Sequence, residues 1–121
     1  MVRELVGYFR SKQADMDTRV IVMRGAGRGF CAGLDIKARQ DGADTVEFVP
    51  GEPQLTDIVP LMRRAPQPIV ALLHGPVNGG GFAMALAADF RFAGESLKMN
   101  DAFARIGMSG CEMGVSYFLP R

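Results

Sequence analysis

Residues 68–89, PIVALLHGPVNGGGFAMALAAD, decide the fold. Residues 68–73 form a short, continuous apolar run closed by Gly75-Pro76, which reads as a buried strand. Three glycines follow at 79, 80 and 81. Residues 82–88 are then apolar on every side and rich in good helix formers, the pattern of a buried helix. The first N–H groups of a helix have no carbonyl partner within it, and the helix dipole places partial positive charge at that end. Glycines there let a foreign oxygen approach without meeting a Cβ. The arrangement suits a phosphate, a carboxylate or a carbonyl that becomes an oxyanion. The plainer reading is that the glycines only let strand and helix pack closely.

Outward from this unit, helical and extended patterns alternate. Val2, Leu5, Val6 and Phe9 follow i, i+3, i+4, i+7 spacing and predict an opening amphipathic helix. Residues 11–19 are polar. Residues 20–23 are a short β-branched strand. It runs into RGAGRGFCAGLDIKARQ (24–40), a glycine loop followed by a helix expected from Leu34 or Asp35, where Asp35 would favour the dipole. Residues 40–54 read as a surface loop. Leu55, Ile58, Val59 and Met62 again have helical spacing, with Pro60 beginning or kinking that helix. Residues 90–93 and 97–99 are further strands, 107–114 are glycine-rich, and 115–119 open an apolar helix. Strands alternating with helices imply an α/β domain with a largely parallel sheet. No repeat of fixed period is present.

Composition excludes several classes. At 121 residues the chain is one domain at most, with 48% hydrophobic and 22% charged residues, as in an ordinary globular protein. A formal net charge of +1 gives no electrostatic case for nucleic acid or an anionic membrane surface. No apolar run approaches ~18 residues, and the N-terminus has no signal-like apolar core, so a cytoplasmic chain is expected. Two cysteines, Cys31 and Cys111, make neither a disulfide framework nor a metal set. Set among glycines and apolar residues, both read as small buried hydrophobes. The 15 glycines cluster in three patches, 25–33, 75–81 and 107–114, so backbone approaches something closely at several places.

The first glycine patch fails as a dinucleotide fingerprint. Gly25 and Gly27 supply G-x-G, but the third glycine position is Phe30, and no acidic residue ends a clear second strand some twenty residues on. No Gly-Lys-Ser/Thr exists for a P-loop. The two turns work better as a pair: each follows a strand and leads into a helix, and two backbone N–H donors converging on one oxygen make an oxyanion hole.

RGAGRGFCAGLDIK (24–37) and HGPVNGGGFAMALAADFRFAG (74–94) resemble the two signature regions of the crotonase (enoyl-CoA hydratase/isomerase) superfamily, and ARIGMSGCEMGVSYFLPR (104–121) resembles the segment that follows. The resemblance runs from about residue 4 to 119. It implies a partial crotonase-like (ClpP/crotonase) spiral of ββα units. Residues 1–121 would then be a single incomplete core domain, without the N-terminal strands and the C-terminal helical trimerisation region of family members. Apolar surface is therefore expected to be exposed. The implied partner is an acyl-CoA thioester whose enolate oxyanion is held by two backbone amides, by position those of Leu34 and Gly80. The family's CoA contacts fall on Ala32, Asp35 and Ile36, with Lys37 in reach of a phosphate unless it is simply solvated. No separate cofactor or metal is implied, since coenzyme A enters as part of the substrate. Intact members are trimers or hexamers, so a homo-oligomer is expected.

The resemblance breaks at the acid–base groups. The position three residues after the oxyanion glycine, a glutamate in the hydratases, is Ala83; the second glutamate position, after LKMNDAF (97–103), falls on Phe103. Neither side chain moves a proton or orients water, so the two-carboxylate hydration mechanism is unavailable. Glu112 lies near the place where other members carry a lone acid, and it also suits a helix start. Asp101 reads as a turn residue, His74 as a hydrogen-bonded strand-end residue without triad partners, and Asp89 as structural. Two functions follow: a hydratase or isomerase using Leu34, Gly80 and Glu112, or a non-catalytic acyl-CoA-binding or assembly module. A nucleotide-binding fold is a third reading that lacks its fingerprint.

Overall fold

A computed structural model describes residues 1–33 and 50–120. Helix α1, Val2–Lys12, turns Val6 and Phe9 into the core, as the opening spacing predicts. Strand β1, Ile21–Arg24, sits one residue later than expected. A 3₁₀ turn over Leu55–Asp57 leads into α2, Ile58–Arg64, which places Pro60 in the first helical turn, where its missing N–H costs nothing. Strand β2, Ile69–Leu73, alternates buried and open positions. Helix α3, Gly80–Ala87, buries nearly every residue, so its all-round apolar sequence has its expected meaning. Strands β4, Phe90–Ala93, and β5, Lys98–Asn100, follow, then 3₁₀ turns at Phe103–Ile106 and Glu112–Gly114 and the short α4, Val115–Phe118.

The expected direct passage from β2 through a glycine turn to the helix is corrected by an additional strand. β3, Pro76–Asn78, lies between them and belongs to a second sheet. Three residues carry no readable period-2 signal; β3 exists because partners on both sides supply its hydrogen bonds. It pairs in parallel with β5, Val77 opposite Met99, and bridges to Cys31 on its other side. The first sheet has order β1-β2-β4, also parallel throughout, with Val22, Val70 and Phe90 at one level and Arg24, Leu72 and Phe92 at another.

One face of that sheet, carrying Ile21, Ile69, Ala71 and Leu73, joins Val6, Phe9, Ile58 and Met62 in the core. The other face leaves Val22, Phe90 and Phe92 more than half exposed, at 56%, 57% and 62%. Asp89 locks the end of α3 to the sheet: its carboxylate accepts from Ile69 N–H at 2.8 Å and from Arg63 Nη1 at 2.8 Å, while its own N–H donates to Ile69 O at 2.9 Å. Gln67, buried, closes the base by donating to the Lys12 and Asp15 carbonyls at 3.2 and 2.6 Å. The helix expected from residue 34 and most of the loop at 40–54 fall outside the described residues. No helix among those described is long and apolar enough to cross a membrane.

Candidate active site

The two glycine turns meet. Phe30 N–H donates to His74 O at 2.9 Å, Cys31 N–H to Pro76 O at 3.3 Å, and Asn78 N–H to Cys31 O at 2.9 Å, so the exit of the first turn runs alongside β3. This brings Ala32 and Gly33 beside Asn78, Gly79 and Gly80. Gly79 caps α3 with φ 52°, and its N–H donates to Asn100 O at 3.1 Å, tying the helix start to β5. The helix then begins with Ala83 N–H to Gly79 O at 3.0 Å, leaving the N–H groups of its first turn without a carbonyl inside the helix.

Close packing and ligand approach turn out to divide the glycines between them. A Cβ on Gly81 would lie 2.6 Å from both Cβ and O of Cys31, and one on Gly75 would lie 2.1 Å from Arg28 O. These glycines let the turns touch. Around Gly79 the nearest atom to such a Cβ is Asp101 O at 3.8 Å, and at Gly80 only the tip of the Leu55 side chain is close, at 3.2 Å. These two face open space or a movable side chain.

A cavity of about 300 Å³ occupies that space. Its walls are Ala32 and Gly33, then Gln54 to Thr56, then Asn78 to Gly80, and finally a segment supplying Ala102, Phe103, Ile106, Met108, Glu112 and Met113. Glu112 is the one carboxylate among the described lining residues. It stands in its own 3₁₀ turn and not in the first turn of α4 as expected, because Met113 adopts φ 52° and separates the two. Ala102, with φ 54°, is the other non-glycine residue in the left-handed region among the described residues, and it lines the same cavity. Held backbone strain of this kind clusters at functional sites.

The cavity therefore collects three of the expected site residues: Ala32, Gly80 and Glu112. Leu34, Asp35, Ile36 and Lys37 lie outside the described residues. Ala83 is fully buried within the packing of α3 and forms no part of the wall, whereas Phe103, 4% exposed, is part of it. His74 is tied down as expected, Nε2 donating to Gly27 O at 3.0 Å. Asp89 is structural too: burial pushes its carboxyl up, but the Ile69 N–H and the Arg63 guanidinium outweigh this and hold it below the usual range. The expectation of two buried cysteines is corrected. Cys31 is half-buried, but Cys111 is exposed, since the 3₁₀ turns around it bury little, and hydrogen bonds with Ser109 and Ser116 hold its thiol below its ordinary value. Sequence reasoning missed Leu55, Ile106 and Met108 as lining residues: all three are apolar, and although Ile106 and Met108 stand beside or within the third glycine patch, an apolar side chain there reads equally well as core.

A second space of about 480 Å³ lies between α1, β1 and Met84. It is larger, but no carboxylate is among its described lining residues. Among the described residues no group of three His, Cys, Asp or Glu side chains could hold a metal ion.

Comparison with known proteins agrees with this fold. A family model described as Enoyl-CoA hydratase/isomerase matches residues 1–121. The protein named "Probable enoyl-CoA hydratase echA12" of Mycobacterium leprae is 39% identical over 113 residues, which is 88% of this chain and 38% of that protein. "Enoyl-CoA hydratase EchA19" of Mycobacterium tuberculosis is 34% identical over 107 residues, 87% of this chain and 40% of that one. Among solved structures, AtuE of Pseudomonas aeruginosa superposes with a TM-score of 0.80 at 30% identity, covering 98% of this chain and 46% of its own. The chain thus spans less than half the length of these relatives. With its parallel sheets, paired glycine turns and matching motifs, the chain belongs to the enoyl-CoA hydratase/isomerase family of the crotonase superfamily.

Proposed function

We propose that the cavity between the two glycine turns binds the acyl end of an acyl-CoA thioester and stabilises negative charge on its carbonyl oxygen. The observation that carries this reading is the meeting of both turns, at the start of an apolar helix, on one cavity with one carboxylate in its wall. The Gly80 amide is one donor. The second, by resemblance, is the amide of Leu34, the next residue in sequence after Gly33. Each such donor is worth roughly 10²–10³ in rate where charge develops in the transition state. Ala32 together with Asp35, Ile36 and Lys37 would contact the coenzyme A portion, the carrier being part of the substrate.

With charge held on the oxygen, the carbon beside the carbonyl becomes acidic. Glu112, the carboxylate among the described lining residues, would take or return its proton. With Ala83 and Phe103 at the two glutamate positions, no second carboxylate stands among the described lining residues to activate water, so a proton shift fits this wall better than hydration. Turnover of an enoyl-CoA should fall by about 10²-fold or more in Glu112→Gln, the ordinary size of general acid–base catalysis. Unchanged turnover would remove Glu112 from the mechanism. Ala83 and Phe103 also favour a second reading, a module that binds acyl-CoA without turning it over. Calorimetry showing binding with no product would select it, and no heat with any acyl-CoA would exclude both.

A further inference from the structure

Gly80 is buried, although it opens a helix, has no side chain and lines a cavity. Leu55 stands over it. The three atoms nearest to a Cβ placed on Gly80 all belong to that side chain: Cδ2 at 3.2 Å, Cδ1 at 3.3 Å and Cγ at 3.6 Å. In a helix the Cα–Cβ direction leans toward the N-terminus, the end to which the unpaired first-turn N–H groups also point. The Leu55 methyls therefore lie toward the side of Gly80 from which an oxygen would come, and Leu55 borders the same cavity. Gly79 differs: it is half-buried, and its Cβ position meets only Asp101 O, at 3.8 Å.

The backbone that presents Leu55 is held by its neighbours. Gln54 N–H donates to Asp57 Oδ2 at 2.9 Å and Asp57 N–H to Gln54 O at 3.1 Å, part of a capping box that fixes the 3₁₀ turn Leu55–Asp57. Directly after the turn, Ile58 and Val59 of α2 are buried in the core. The turn is anchored, and only the tip of Leu55 adjusts. Gln54 and Thr56 flank it in the cavity wall with polar side chains, so the apolar residue of this turn is the one set against Gly80.

A donor that faces water is weakened by competition, whereas the same donor in a dry site of low dielectric polarises its acceptor more strongly. We infer that Leu55 is a positioning residue that keeps water off the Gly80 N–H, so that this amide meets the thioester oxygen without a competing water. The inference rests on the acyl-CoA reading above. It adds to that reading a residue that none of the glycine motifs contains.

Infrared difference spectroscopy of butyryl-CoA, isotope-labelled at its carbonyl carbon, tests it on the wild-type chain, Leu55→Ala, Leu55→Val and Leu55→Met. Bound to the wild type, the carbonyl band should lie at lower frequency than in water, because preorganised dry donors polarise it more than water does. Leu55→Ala opens the space beside Gly80 to water and should abolish most of that displacement. Leu55→Met refills the space with apolar atoms and should restore it. Leu55→Val should lose part of it, and carries the test if circular dichroism shows the alanine variant unfolded or calorimetry shows that it no longer binds butyryl-CoA. A residue that merely packs would alter stability and leave the band in place. An unchanged band in the folded, thioester-bound alanine or valine variant overturns the role of Leu55 while leaving the acyl-CoA reading standing, as does a displacement lost equally in Leu55→Met. A wild type that binds no butyryl-CoA, or holds its carbonyl at the frequency it has in water, overturns that reading and this inference together.

Discussion

At the scale of single residues, adjacent glycines in one GGG run serve different ends. Gly81→Ala would drive a Cβ onto the Cys31 backbone, so it should destabilise the fold by about 1–3 kcal/mol in a urea titration, as overpacking does. Gly80→Ala meets only the flexible end of Leu55 and gains helix propensity, so stability should stay within about 1 kcal/mol of wild type. Equal losses in the two variants would refute the division. The thiols separate in the same way: exposed Cys111 should be alkylated by iodoacetamide well before half-buried Cys31, read by peptide mass spectrometry. The motif glycines were legible in sequence as a site, but their division was not. Which glycine touches backbone depends on where Cys31 and Arg28 arrive, and those partners lie some fifty residues away along the chain.

At the scale of elements, the long periodic segments and the short strands β1, β4 and β5 were legible to within a residue, and β3 was not. The α1 spacing and the apolar run of α3 have signals that survive without tertiary context, whereas β3 gains its identity only from Cys31 and β5. Register between α3 and the sheet rests on Asp89, and its chemistry makes a pH prediction. Its folded-state pKa lies below the ordinary ~3.9 of an unfolded Asp. The fold therefore favours the carboxylate, and the added stability is present above about pH 4 and fades as pH falls toward the folded pKa. Asp89→Ala, which orphans the Ile69 N–H, should cost about 1–3 kcal/mol at neutral pH. Asp89→Asn keeps an acceptor and loses the charge on the half-open Arg63 pair, so it should cost about 1 kcal/mol or less. Denaturation midpoints of wild type and Asp89→Asn should converge in acid; a constant gap from neutral to acid pH would show that the charge does not matter.

At the scale of the whole molecule, a parallel sheet is ordinarily covered on both faces, and the described residues cover this one on one face. Val22, Leu72, Phe90 and Phe92 share the open face through the parallel register, and the expectation of exposed apolar surface is met there. The chain should accordingly enhance the fluorescence of a hydrophobic dye, and Phe90→Lys with Phe92→Lys should reduce that signal with little change in circular dichroism. Undiminished dye binding would place the exposed apolar surface elsewhere. The site itself was half legible. Ala32, Gly80 and Glu112 come from three separate motifs and reach one cavity, while nothing in the sequence tied Leu55 to the same wall.

The central claim is that two glycine turns grip one thioester oxygen, and a crystal structure of this chain with bound butyryl-CoA tests it most directly. The carbonyl oxygen should lie within hydrogen-bond distance, roughly 2.7–3.1 Å, of both the Gly80 and Leu34 nitrogens. A thioester seated away from α3, or an oxygen that touches neither amide, would contradict it.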